Sequence, residues 1–176
     1  KTRKPPTMFF IGPVQDADGR VLAVMTLRVD PWKDFARALK SFKGSLENYA
    51  FDRNGVMLSA SQFEDQLRRI GLLAEDQSSA LNIEIRDPGG NMVEGFRPAI
   101  ARSQQPLTHM VSSALLLRQQ MESTGAGRSH SAVESNIEGY RDYRGVPVFG
   151  AWLWNADVDI GLAVEVDVDE ALFNYY

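Results

Sequence analysis

The stretch from Ile137 to Asp167 constrains the fold more than any other part of the chain. It reads as three consecutive strands, with a turn centred on Arg144-Gly145 and another over Asn155 to Asp159. Val, Ile, Tyr and Trp dominate it, the residue types that fit a pleated, half-buried surface. Short turns make the three strands antiparallel. No comparable pattern occurs elsewhere, so this meander is the predicted main sheet.

The rest of the chain supplies shorter elements. Lys1 to Pro6 reads as an extended lead-in. Thr7 to Val14 and Val21 to Val29 read as a hairpin across a polar turn that contains Gly19. Asp30-Pro31 opens a predicted helix whose apolar face is Trp32, Phe35, Ala36, Leu39 and Phe42, ended by Gly44. Leu46 to Phe51 and Val56 to Ser59 are predicted strands joined by the turn Asp52-Arg53-Asn54-Gly55, since Asn-Gly favours a hairpin. Ser61 to Leu73 reads as a helix. Within Glu75 to Gln105 a short strand is expected over Leu81 to Ile85, and the remainder reads as a long polar loop. Pro106 to Met121 reads as a helix, Glu122 to Ser135 as a flexible connector, and a helix is expected from Val168. With no β-α-β alternation, the predicted fold is α+β: an antiparallel sheet of about five strands with helices on one face.

Composition removes several function classes. The chain has 176 residues, 44% hydrophobic, with a net charge of -4. That fits a globular protein and offers no basic excess for nucleic acid or anionic lipid. It has no cysteine, so disulfides, thiolate metal sites and a Cys nucleophile are excluded. No apolar run reaches the ~18–20 residues that span a bilayer, and no signal peptide is visible. His109 and His130 are the only histidines and lie without carboxylates at ligand spacing, so no metal is expected. Thr124 to Ser129 is glycine-rich but lacks the Gly-Lys-Ser/Thr ending of a phosphate loop. No Gly-x-Ser-x-Gly is present. No cofactor and no catalytic residues are expected.

Three blocks together resemble the Cache sensor domains: Tyr49 to Ser59 (YAFDRNGVMLS), Gly139 to Trp152 (GYRDYRGVPVFGAW) and Gly161 to Asp167 (GLAVEVD). Residues 44–176 resemble the membrane-proximal, PAS-like module of a double Cache domain. Residues 1–43 are similar to the last hairpin and exit helix of the membrane-distal module. The resemblance implies an extracytoplasmic, periplasmic or extracellular, sensor of a membrane-anchored parent protein, with one membrane helix before Lys1 and another soon after Tyr176. It also implies a cytoplasmic output such as a kinase, a cyclase or a chemotaxis transducer. The abrupt ends of the sequence agree with an excised piece. The Arg–Trp–Tyr amino-acid signature of distal modules is absent, so an amino-acid ligand is not implied.

The strand faces suggest where a small molecule would lie. In the middle strand one face carries Val146, Val148, Gly150, Trp152 and Trp154, and the other Pro147, Phe149, Ala151 and Leu153. In the last strand Ile160, Leu162, Val164 and Val166 form a greasy face, and Gly161, Ala163, Glu165 and Asp167 the other. Small residues beside Trp and Tyr are expected to leave room for a ligand. The predicted ligand-binding residues are Tyr140, Asp142, Tyr143, Trp152, Trp154 and Glu165. The same residues also fit a plain core with charges at its rim. Asp52 and Arg53 read as turn residues, and Arg141 and Arg144 as solvated edge residues. Two functions follow: a sensor of an unknown small molecule, or a spacer that relays motion and pairs as a homodimer through helix faces.

Overall fold

The computed structural model describes residues 7–30, 44–124 and 133–173. The helix expected from Asp30 to Phe42 and most of the predicted connector lie outside them. Two antiparallel sheets form. The first is the hairpin β1 (Met8–Gln15) and β2 (Val21–Val29), as the sequence predicts. The second has four strands: β3 (Glu47–Phe51), β4 (Val133–Arg141), β5 (Pro147–Asn155) and β6 (Ile160–Asp167), in the order β3-β6-β5-β4. The meander closes by placing its last strand beside the first strand of the sheet. The fold is α+β.

The sheet is one strand short of the expected five. Met57 makes only a bridge to Phe51, and Val56 one to Glu84. The Leu81–Ile85 stretch is likewise reduced to single contacts, with Met57 N–H donating to the Ile83 carbonyl and Ile85 N–H to that of Gly55. Gly55 turns sharply with φ +73°, and the returning chain splits its bonds between Ala50 on one side and Ile83 on the other.

Helix α1 covers only Glu64–Arg69. It starts late because Ser61 and Gln62 spend their groups on Glu47: the Ser61 hydroxyl and the Gln62 N–H both donate to its Oε1, at 2.6 and 3.0 Å. It ends at Gly71, after which the N–H groups of Leu72 and Leu73 fold back onto the Leu67 carbonyl. Helix α2 is His109–Thr124, three residues later than predicted. Leu107 bridges Arg86 and the Thr108 N–H donates to the Ile85 carbonyl, so Pro106–Thr108 is held extended. β4 starts at Val133, before the predicted Ile137. Ile137 lies in a bulge where the Asn136 side chain accepts from the N–H groups of Glu138 and Gly139. The short helix α3 (Val168–Leu172) follows β6 directly.

Register fixes the two faces of the sheet. Opposite residues are Glu47–Glu165–Gly150–Asn136, then Tyr49–Ala163–Trp152–Glu134, then Phe51–Gly161–Trp154. All of these lie on one face, called inner here because α2 packs on it through buried Met110, Val111, Ala114 and Leu117. The apolar face of α2 is therefore spent on the chain's own sheet. The opposite face buries Ala50 and Ile160 against Leu58, with Met8 and Phe10 of the hairpin packed beside them. Elsewhere the hairpin is apolar and open: Ile11, Leu22, Val24, Met25 and Leu27 are all more than half exposed. No helix among the described residues is long and apolar enough to cross a membrane.

Candidate functional site

Alternation in β3 and β6 puts two glutamates side by side on the inner face. Glu47 and Glu165 are direct cross-strand partners, and both are buried. Each is met by tyrosines. Glu165 accepts from Tyr140 and Tyr49 hydroxyls, both at 2.6 Å. Glu47 accepts from the Tyr143 hydroxyl at 2.7 Å and from Ser61. Among the described residues, no cation pairs with either carboxylate. Burial first, and nearby Asp142 after it, raise the Glu165 carboxyl to about 8, the tyrosine hydroxyls only partly offsetting both. At neutral pH Glu165 is mostly a neutral acid, able to donate as well as accept. Burial raises Glu47 too, against the hydrogen bonds from Ser61 and Tyr143 and the charge of Arg144. Tyr49, Tyr140 and Tyr143 are held protonated by burial and by the carboxyls they face.

The bulge in β4 turns Tyr140 onto the inner face, over Gly150 and against Trp152, with ring centroids 5.9 Å apart. His109, at the start of α2, packs on both rings at 5.4 and 5.7 Å and is itself exposed. Solvent thus reaches the outer rim of this group while Glu165 stays dry. Trp154 packs edge-on to Phe51 and under Arg118. Among the described residues, neither indole N–H, of Trp152 or Trp154, has a hydrogen-bond partner. A buried, unmet donor costs about 1–3 kcal/mol.

The turn between β4 and β5 carries a second polar group. Asp142 accepts from the N–H groups of Arg144 and Val146 and pairs with the Arg144 guanidinium at 2.6 Å. Arg144 also reaches Asp167 at 2.7 Å and Gln66 at 2.8 Å, and stacks on Phe63 with its Cζ 3.7 Å from the ring centroid. It is 2% exposed, which overturns the expected solvated edge position. Burial disfavours its charge, but Asp142, Tyr143 and Asp167 outweigh that and hold it protonated. Asp142 is raised by burial, with Arg144 opposing. Arg102 fastens the turn by donating to the Tyr143 carbonyl; burial lowers it to about 10. Arg141 is on the surface as expected, in a two-point pair with Asp87.

Five of the six sequence-chosen residues form two adjoining groups: Tyr140, Trp152 and Glu165 in one, Asp142 and Tyr143 in the other. Trp154 stands apart, one inner-face position beyond Trp152. The room expected beside the small residues is filled by the chain itself. A Cβ on Gly161 would lie 2.2 Å from the Phe51 ring, and one on Gly150 2.1 Å from the Tyr140 hydroxyl. Sequence reasoning missed Glu47, Tyr49, Ser61 and Arg144. Glu47-x-Tyr49-x-Phe51 carried a signal: a carboxylate alternating with aromatics on one strand face belongs to that face's core or site. Among the described residues, no cluster of ligating side chains suits a metal ion.

No protein-family model, curated protein or solved structure matches the chain.

Proposed function

We propose that the chain is an extracytoplasmic sensor domain of a membrane-anchored signalling protein, built on a PAS-like Cache module over residues 44–176. Its inner sheet face takes a small molecule, and the signal leaves through the C-terminal helix towards a cytoplasmic kinase or cyclase. One observation carries this reading. Glu165, an acid buried on the inner face with no cation paired to it among the described residues, lies two residues along β6 from Asp167, where α3 begins. Asp167 is clamped from two sides, by Arg144 on its carboxylate and by the Ser45 hydroxyl on its N–H. Glu170 of α3 in turn accepts from the Ser45 N–H at 2.7 Å. A change of occupant or charge at Glu165 therefore acts on the strand that ends in the exit helix. A ligand shifts such an equilibrium only through different affinity for its two states.

The antiparallel sheet with its closing meander, covered by α2 and the loops of residues 52–108, supports the PAS-like reading. The Trp152 and Trp154 N–H groups are buried and unpartnered among the described residues, and would meet an acceptor on a ligand that displaces the inner-face packing. A thermal-shift screen of organic acids, amines, amino acids and nucleobases tests the proposal. At least one class should stabilise the protein, and Ala163→Leu, on the inner face, should abolish that gain. If no compound stabilises it, the ligand reading fails.

A second reading, a relay module that binds nothing, is favoured by the filling of the inner face by Phe51 and Tyr140. It predicts a homodimer in solution. A strictly monomeric mass by light scattering, in the full-length membrane protein as well as in this domain, would remove it.

A further inference from the structure

A cavity of about 190 Å³ opens between α1 and the Met92–Arg97 loop, lined by no residue of the four-stranded sheet. Ile70, Met92 and Val93 supply its apolar wall, and Gln66, Arg69 and Arg97 its polar one. Five of the described arginines are held by carboxylates, while Arg20, Arg28, Arg53, Arg102 and the two at this cavity are not. Arg68, Arg86, Arg118, Arg141 and Arg144 all pair with carboxylates. Among the described residues, Arg69 and Arg97 pair with none; they bond only to backbone carbonyls. The Arg69 Nε donates to Asp65, and the Arg97 Nη1 to Met92 and Phe96. Those bonds occupy Arg69 Nε and Arg97 Nη1, and the other guanidinium nitrogens have no hydrogen-bond partner among the described residues.

We propose that this cavity binds a small organic carboxylate with a hydrocarbon stem. Arg69 and Arg97 take the carboxylate, as guanidinium forks suit it, and Ile70, Met92 and Val93 take the stem. The volume is adequate, since a cavity of about 150 Å³ already admits a six-carbon ring. The site is also wired to the exit helix. The Gln66 Oε1 accepts from Arg144, and the Met92 N–H donates to the Arg144 carbonyl at 3.0 Å. Arg144 holds Asp167 at the start of α3. Two walls of the cavity thus meet at one residue that touches the way out. This inference stands independently of a ligand on the inner face.

Calorimetric titration of the whole chain with benzoate and with succinate tests it, with benzamide and succinamide as uncharged controls. At least one carboxylate should bind, and neither amide. Arg69→Gln and Arg97→Gln should each weaken binding at least tenfold, and the double variant should lose it. Both side chains are exposed, so the variants should fold as the parent does. Absence of carboxylate binding, equal binding by the amides, or full binding by the double variant overturns the proposal. A bound carboxylate that leaves the Arg144 Nε–H resonance unmoved overturns the link to α3.

Discussion

Two turns in this chain share one local code and meet opposite fates. In Asp52-Arg53-Asn54-Gly55-Val56 and in Asp142-Tyr143-Arg144-Gly145-Val146, the first Asp accepts from the N–H groups two and four residues on. In both, the Gly N–H donates to the Asp carbonyl and the Asp N–H to the Val carbonyl. Both glycines sit at positive φ, +73° and +82°. Yet Arg53 and Asn54 are exposed, while Asp142 through Gly145 are all buried. The backbone of a turn is a local matter. What its side chains do depends on what lies over it, and only the second turn is roofed by α1 and the Met92 loop. That roof converts an ordinary hairpin corner into the junction of Glu47, Gln66, Asp167 and the loop backbone.

The comparison breaks first at Arg144. Arg144→Met should cost about 3–5 kcal/mol in urea unfolding, because it strands Asp142 and Asp167 without their cation. A cost below about 1 kcal/mol would mean that this junction does not hold the domain together. Gly145→Ala should cost about 2–3 kcal/mol, since a Cβ there would lie 1.9 Å from the Gly90 carbonyl oxygen, a backbone atom. Gly55→Ala pays the same backbone strain but meets side chains alone, the movable end of Leu107 and a Val111 methyl at 3.3 Å, so about 1 kcal/mol is expected. Equal losses from the two alanines would erase the distinction between the turns.

The third effect concerns the acid beside the buried turn. Glu165 titrates at about 8 in the folded chain against an ordinary value of 4.5, so the native state keeps a proton that the unfolded state releases. Its contribution to stability is complete below the ordinary value and declines as the pH rises to the folded one. Between pH 6 and 8 the loss should be about 2 kcal/mol. Glu165→Gln should flatten that part of the profile, and an unchanged slope would assign it to Glu47 or Asp142 instead. The smallest effect is expected at the open turn, where Asn54→Ala should change stability by less than about 1 kcal/mol. A larger loss would show that this turn, too, is tied into the tertiary structure.

Much of the architecture was legible in the sequence. Alternation over residues 146–167 is a local property, so it correctly put Trp152, Trp154, Ala163 and Glu165 on one face. The hairpin of residues 8–29 was legible for the same reason. Helix limits were less so: the polar groups of Ser61 and Gln62 are claimed by Glu47, distant in sequence, and Pro106–Thr108 is claimed by Ile85 and Arg86. The space over Gly150 and Gly161 could not be read at all, because a glycine looks the same whether a ligand or a neighbouring ring lies over it.

By itself, then, the sequence determined the α+β class, the turn chemistry, and which side chains share a strand face, because all of these follow from the period of the backbone and the preferences of single residues. Only the tertiary structure decided that Glu47 and Glu165 lie side by side, with no cation paired to them among the described residues, and that Arg144 is buried rather than rinsed. It also set Arg69 and Arg97 beside a cavity with no carboxylate to hold. These are outcomes of solvent exclusion and long-range pairing, and both depend on which segments pack over a residue rather than on the residue and its neighbours in the chain.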